Sequence, residues 1–156
     1  MEKNKIDQIY EIDRKINQIY EIWSAAHGLT LYEMQIYYIL IKEEKGAITQ
    51  KDFCMAMDAP KTSINSIIKK QLQTGYIRME VNPANKREKM ISLTENGQEF
   101  AKKLIRPLLQ YEEEAIDMLD DAELEVAIAV QTRFADILLE KVKKNAPKIN
   151  KNEGEK

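Results

Sequence analysis

The chain has 156 residues, a formal net charge of −2, one cysteine and one histidine. This length suits one domain, or one small domain with added elements that dimerise it. One cysteine and one histidine leave too few ligands for an internal disulfide or a structural zinc site, so we expect a cytoplasmic protein with no metal and no other cofactor. No segment approaches the roughly 20 apolar residues of a membrane span, and the first residues lack a signal-peptide pattern.

The first predicted helix covers residues 5–26. Ile9, Ile12, Ile16 and Ile19 step along it by three and four residues, which is a heptad-like apolar stripe. Such a stripe must be buried, either against another helix of the chain or against a second copy. These four isoleucines are our N-terminal candidates for a dimer interface.

Three shorter helices follow, separated by short breaks. Thr30 and Glu33 have the spacing of a capping box, and Thr49 begins a second capped segment three residues before an aspartate. Pro60 suits the first turn of the next helix, which should end near Thr74. Three helices at this spacing predict a helix-turn-helix.

Two candidate strands come next, at residues 76–82 and 90–93. The segment 82–85, Asn-Pro-Ala-Asn, supplies turn chemistry between them. Three cations, Lys86, Arg87 and Lys89, follow at the expected tip of the hairpin. The order of helix, strand, basic tip and strand is that of a winged helix.

Two long helices complete the predicted structure. Thr94 caps the first, at residues 95–119, where Pro107 should bend or interrupt the helix near Ile105. Asp120 caps the second, whose apolar line supplies our C-terminal candidates for the dimer interface. Those candidates are Phe134, Ile137 and Leu138. Residues 146–156 are polar, and we expect a disordered tail there.

Positive charge is concentrated in the predicted winged helix. Residues 60–93 contain seven lysines and arginines and two glutamates, a formal charge of +5, which leaves −7 for the rest of the chain. A local basic surface on an acidic protein is typical of a specific nucleic-acid site rather than of indiscriminate coating.

Each residue type in this region suits a different part of a DNA duplex. The start of the second helix of a helix-turn-helix meets base edges, where the Asn65 amide can pair with adenine. Lysines suit phosphates, and Arg87 suits a narrow minor groove. The candidates in the recognition helix are Lys61, Thr62, Ser63, Asn65, Ser66, Lys69 and Lys70, and those in the wing are Lys86, Arg87 and Lys89.

The sequence resembles the MarR family of bacterial winged-helix regulators. The resemblance is carried, in order, by ITQKDF at 48–53, KTSINS at 61–66, GYIR at 75–78, NPANKR at 82–87 and LTENG at 93–97. It implies a mainly α fold with a small β-wing: an N-terminal dimerisation helix at 1–29, a winged helix-turn-helix at 30–97 and C-terminal dimerisation helices at 98–145. It also implies a homodimeric repressor that binds double-stranded DNA at a pseudo-palindromic operator and is released by a small aromatic or lipophilic effector.

The wing departs from the family pattern at two positions. Wings of this family usually read Asp-Pro-x-Asp-x-Arg, and this chain has Asn82 and Asn85 in place of the acids. In the family the second acid holds the wing arginine. Here the amide oxygen of Asn85 would accept from Arg87 without charge assistance, which implies a weaker clamp.

Candidates for the effector site lie where the first helix meets the helix-turn-helix. They are Trp23, His27, Tyr32 and Tyr37. Aromatic residues at helical spacing are more often part of a hydrophobic core, which is the alternative interpretation of these four residues. Cys54 has no cation beside it in the sequence, and we expect an inert thiol there rather than a redox sensor.

Two classes of function compete with sequence-specific DNA binding: a module that binds protein or RNA, and an enzyme. The alternative is a winged-helix module that binds protein or RNA without sequence-specific DNA readout. The acidic isoelectric point, about 5.6, leaves room for such a partner. An enzyme is disfavoured, and no catalytic residues are expected. The sequence contains no Ser-His-Asp or Cys-His set and no glycine-rich phosphate loop.

Overall fold

The computed structural model describes residues 4–57 and 59–146. The helices in these ranges are α1 (Lys5–Ala26), α2 (Leu31–Lys42), α3 (Gln50–Ala56), α4 (Lys61–Gln73), α5 (Glu95–Asp117) and α6 (Asp121–Asn145). The strands are β1 (Ala47–Thr49), β2 (Ile77–Asn82) and β3 (Asn85–Leu93). The mainly α class with a small β-wing is therefore confirmed. Of the tail predicted for 146–156, only Ala146 falls within the described residues, where it is the C-cap of α6.

The predicted caps form at the starts of the helices. The Thr30 hydroxyl oxygen accepts from the Glu33 N–H (3.3 Å), and the Glu33 carboxylate accepts from the Thr30 N–H (2.8 Å), which completes the capping box of α2. Thr49 caps α3 through the N–H of Asp52 (3.1 Å). Pro60 is the N-cap of α4 and supplies no side-chain hydrogen bond.

The sheet contains one strand more than the sequence predicted. Its order is β1-β3-β2, and both pairings are antiparallel. β1 has three residues, too few to show an alternating pattern, and it pairs with residues 90–92 of β3. β3 begins at Asn85 and not at Met90, because Lys89 pairs with Val81 and Asn85 pairs with Asn82, on either side of an irregular polar segment with no apolar alternation.

The chain divides after Gln110 into two compact units. The core of the first unit is formed by buried side chains of α2, α3, α4, β2, β3 and α5, including Tyr37, Phe53, Ile64, Ile91 and Leu104. This core holds the helix-turn-helix and the base of the wing together as one body.

A tight junction joins the end of β3 to the turn after α4. The Thr94 N–H donates to the Tyr76 carbonyl (2.9 Å), and the Thr94 hydroxyl donates to the Gly75 carbonyl (2.7 Å). Gly97 lies so close that a Cβ there would be 1.7 Å from the Tyr76 carbonyl oxygen. One turn further on, the Phe100 ring stacks on Tyr76 with centroids 4.3 Å apart. The hydroxyl of Thr94 and the missing Cβ of Gly97, both in the LTENG segment, thus each contribute to this contact.

α5 continues through Pro107 without a break, so the interruption considered from the sequence does not form. Proline leaves the carbonyl four residues earlier without its helical donor. That carbonyl belongs to Lys103, which is exposed, so water can replace the missing donor.

The second unit begins at Tyr111 and contains the end of α5 and all of α6. No residue of α6 is buried. Large apolar side chains of α6 are exposed, among them Ile128 (64%), Ile137 (46%) and Leu138 (41%). Within the described residues, no helix is both long enough and apolar enough to cross a membrane.

Candidate nucleic-acid interface

The predicted recognition helix, α4, buries one face and exposes the other. Ile64, Ile68 and Gln71 are buried. Because an α-helix turns by about 100° per residue, the predicted contact residues separate into two groups. Lys61, Thr62, Asn65, Ser66 and Lys69 share one arc of about 140° beside the core face, while Ser63 and Lys70 lie further round the helix, on the other flank.

A groove of about 710 Å³ lies between α3, α4 and the β2–β3 hairpin. Its apolar lining is Cys54, Ile68, Leu72 and Met79. Its cations are Lys51, Lys61, Lys69, Arg87 and Lys89, with Glu88 as the acidic lining residue. Cations around a concave surface with low-dielectric walls focus a positive potential there, which favours a polyanion.

Lys51 was missed by the sequence analysis, which interpreted the start of α3 only as a helix cap. It is exposed and lines the groove beside Lys61 and Arg87. The first helix of a helix-turn-helix crosses the DNA backbone, so a cation near its N-terminus was an available signal.

The wing is the β2–β3 hairpin, and its basic residues lie in an irregular part of β3. The register shifts after Val81, so that Lys86, Arg87 and Glu88 have no paired residue on β2. Such a bulge bends the strand and redirects its side chains. Lys86 and Arg87 are exposed there. The cations predicted at a turn are therefore held in a strand, next to the two-residue turn.

The two wing asparagines stabilise the main chain of the hairpin. Asn85 Oδ1 accepts from the Arg87 main-chain N–H (3.2 Å), and Asn82 Oδ1 accepts from the Ala84 N–H (3.0 Å). The Asn82 amide also donates to Glu88 Oε2 (3.2 Å). The Asn85 side chain thus bonds to the main chain of Arg87 and not, as expected, to its guanidinium. Among the described residues the Arg87 guanidinium has no hydrogen-bond partner.

Two adjacent lysines of α4 have different surroundings. Lys70 Nζ lies 2.5 Å from Glu33 Oε1, whose side chain is only 4% exposed. Burial raises the pKa of the Glu33 carboxyl, but the hydrogen bonds from Lys70 and from the Thr30 N–H outweigh burial and hold this pKa below its ordinary value of 4.5. Lys69 is exposed and makes no ion pair within the described parts of the chain.

A buried hydrogen bond joins the same two helices. The Tyr37 hydroxyl donates to Gln71 Oε1 at 2.5 Å, and both side chains are buried. Burial raises the pKa of Tyr37 above its ordinary value of 10.0, so the hydroxyl stays a donor at neutral pH.

The sequence matches no family model and no curated protein. Solved structures match the fold over most of the chain. A MarR family regulator from Neisseria meningitidis superposes with a TM-score of 0.76 at 20% identity, over 92% of this chain and 99% of that chain. The chain has the MarR fold.

Two other solved structures share the MarR fold, with comparable TM-scores and sequence identities. MepR from S. aureus in complex with DNA has a TM-score of 0.71 at 17% identity, and the match covers 86% of this chain and 98% of that chain. AbsC, a MarR family transcriptional regulator from Streptomyces coelicolor, has a TM-score of 0.71 at 20% identity, with 90% of this chain and 99% of that chain covered. The Neisseria protein and AbsC are regulators, and the likeness of this chain to all three structures concerns the fold.

On this MarR fold the four candidate effector residues lie in different environments. The Trp23 indole N–H donates to the Leu104 carbonyl (3.0 Å), and His27 Nδ1 lies 2.8 Å from the Trp23 carbonyl oxygen. Tyr32 is 49% exposed. Tyr37 is fully buried, so it packs in the core and does not line an open cavity. Within residues 4–57 and 59–146, no group of three or more His, Cys, Asp or Glu is placed to hold a metal ion.

Proposed function

We propose that the protein acts as a MarR family transcriptional regulator, a homodimeric cytoplasmic repressor that binds double-stranded DNA with sequence specificity. The observation that carries the proposal is the groove beside the recognition helix. Its cations come from three separate elements, α3, α4 and the wing, and five of them line one concave surface against one glutamate. A surface built in this way suits the phosphates that flank a major groove.

The exposed arc of α4 supplies the base contacts in this proposal. Asn65 is half-buried, which restricts its rotamers, and its amide can donate to adenine N7 and accept from N6 once the helix enters the major groove. Thr62 and Ser66 are exposed on the same arc. Lys61 and Lys69 reach phosphates. Pro60, the N-cap of α4, supplies no side-chain hydrogen bond, so the N–H groups of the first turn can also meet a phosphate.

The wing contacts the neighbouring minor groove. Arg87 is exposed, and its guanidinium has no partner within the described residues, so it can insert without breaking an ion pair. Lys86 and Lys89 provide backbone contacts beside it. Lys51 adds a phosphate contact from α3.

The exposed apolar residues of α1 and α6 support a dimer. Ile12, Ile16 and Ile19 form a continuous apolar stripe along α1, and their side chains are 52%, 46% and 51% exposed. No part of the described chain therefore covers this stripe fully. On α6, Ile137 and Leu138 are also exposed. Large contiguous apolar patches on a soluble protein mark interaction surfaces. We propose that a second copy covers the stripe of α1, which includes Ile9, and separately the apolar residues of α6, which include Phe134. The dimer would set two recognition helices about 34 Å apart on a pseudo-palindrome.

A small aromatic or lipophilic effector is the proposed releasing signal. Trp23, His27 and Tyr32 remain its candidate contacts. The Trp23 and His27 rings lie 4.6 Å apart, centroid to centroid, and so form one aromatic edge of α1.

The test is selection from a random duplex library, followed by a salt titration of binding. We expect one pseudo-palindromic motif, and an affinity that falls steeply with salt. Asn65→Ala should relax the preference at one base pair of each half-site, at a cost of about 1–3 kcal/mol. Lys103→Ala, which removes an exposed lysine of α5, serves as the charge control. Equal binding to all duplexes, or tighter binding to RNA, would favour the alternative module without DNA readout.

A further inference from the structure

We propose that Glu33 and Lys70 are a positioning pair that fixes the rotation of the recognition helix, so that Lys69 and not Lys70 contacts the DNA phosphates. The inference rests on the proposed function, because it concerns how α4 is held for reading bases. It assigns different roles to two adjacent residues of the same type.

The direction of each lysine separates the two roles. Lys69 and Lys70 are about 100° apart around α4. Lys69 lies on the arc of Asn65 and lines the groove. Lys70 lies on the opposite flank, where its ammonium contacts the buried carboxylate of Glu33 on α2.

Leaving this pair is costly for Lys70. If the ammonium moved to a phosphate, Glu33 would stay buried without its cation, which is strongly unfavourable. The pair also suits both helix dipoles, since Glu33 is in the first turn of α2 and Lys70 is in the last turn of α4. Lys69 has no such internal partner within the described chain and is free to meet DNA.

A second contact makes the attachment rigid. At the next position, Gln71 accepts a hydrogen bond from the buried Tyr37 hydroxyl at 2.5 Å. α2 therefore holds α4 at two consecutive residues, once at the surface and once in the core. Two such points prevent rotation of α4 about its own axis, and that rotation would turn the Asn65 amide away from a base edge.

The experiment compares Lys69→Ala, Lys70→Ala and Glu33→Gln in the full chain. The probe is the duplex selected from a random library by the wild-type protein, with a scrambled duplex of the same composition beside it. Glu33→Gln removes the charge but keeps an oxygen for the Thr30 N–H. Thr30→Ala is the matched control, because it weakens the α2 cap and leaves the ion pair in place. All measurements are made well below each variant's melting temperature.

Lys69→Ala should weaken binding to both duplexes and lower the slope of log K against log salt by about 0.9 for each phosphate that the protein no longer neutralises. Lys70→Ala should leave the slope unchanged but reduce the ratio of selected to scrambled affinity by about tenfold, the effect expected when one base contact is misaligned. Glu33→Gln should reproduce Lys70→Ala, and the double variant should be no worse than either single one. Thr30→Ala should keep the ratio of wild type.

Two results would overturn the inference while leaving the proposed function intact. One is a Lys70→Ala protein that loses salt slope as Lys69→Ala does and keeps its selectivity. The other is additive loss of selectivity in the Glu33→Gln/Lys70→Ala double variant. A wild-type protein that selects no sequence from the library overturns the proposed function itself, and the inference with it.

Discussion

Replacing Gly97 by alanine tests the junction between the wing and α5. Gly97 lies in the first turn of a helix, where helix propensity alone predicts that alanine stabilises the protein by about 1 kcal/mol. The structure predicts the opposite sign. A Cβ at this position would lie 1.7 Å from the Tyr76 carbonyl oxygen and 2.7 Å from its carbonyl carbon. Both are main-chain atoms, so no change of rotamer relieves the contact.

The expected loss in the free energy of unfolding depends on how far the main chain of Tyr76 must move to make room for the added Cβ. Overpacking costs about 1–3 kcal/mol when side chains can adjust, and a main-chain contact belongs at the upper end of that range. Moving Tyr76 away also lengthens the 2.9 Å bond from the Thr94 N–H, at a further cost of about 1 kcal/mol. The total of about 3–4 kcal/mol should lower the melting temperature by roughly 10 °C.

Urea and thermal unfolding, followed by circular dichroism at one fixed protein concentration, measure this effect. Gly28→Ala is the matched control, since Gly28 has a φ of +70° but nothing within 4 Å of an added Cβ. It should cost only the left-handed penalty of about 1–2 kcal/mol. A Gly97→Ala protein as stable as wild type, or more stable, would refute the packing of α5 on Tyr76.

Three further changes probe the other parts of the molecule. Arg87→Ala should weaken binding most for sites with a narrow, A·T-rich minor groove, measured by anisotropy against a matched G·C-rich duplex; an equal loss on both would contradict minor-groove insertion. Because the folded pKa of Glu33 is lowered, its ion pair stabilises the protein above pH 4.5 and this contribution is lost as the pH falls through the lower folded value. The stability difference between wild type and Glu33→Gln in urea should therefore shrink on acidification, and a constant difference would contradict the ion pair. Ile16→Asp should convert the proposed dimer to a monomer in sedimentation velocity, whereas Asn17→Asp on the same helix should not; a stable Ile16→Asp dimer would exclude the α1 stripe from the interface.

Local chemistry explains why much of the fold could be predicted from the sequence. The Thr30 and Thr49 caps, the helix ends and the apolar stripes depend on residues close together in the chain, so short patterns are sufficient. β1 and the extended β3 could not be predicted in this way. The strand conformation of β1 depends on pairing with residues of β3 that lie about 40 positions later in the chain. The polar first half of β3 is a strand because it pairs with β2 in the hairpin.

The candidate site shows the same division. The basic residues of the recognition helix and the wing were visible in the sequence as a concentration of charge. The partner of Lys70 was not, because Glu33 is 37 residues away in the chain and was assigned only to a helix cap. The bond from the Arg87 main chain to Asn85 could not be predicted either, because a family pattern gives residue types and not the register of a hairpin.

The central claim is that α4 reads DNA sequence while the cations around the groove hold the backbone. The most direct measurement is the salt dependence of binding to the selected duplex and to its scrambled counterpart, for wild type and for Asn65→Ala. We predict that Asn65→Ala lowers affinity for the selected duplex alone and leaves the salt slope unchanged. Equal affinity of the wild-type protein for both duplexes, or an equal loss on both in Asn65→Ala, would contradict this claim.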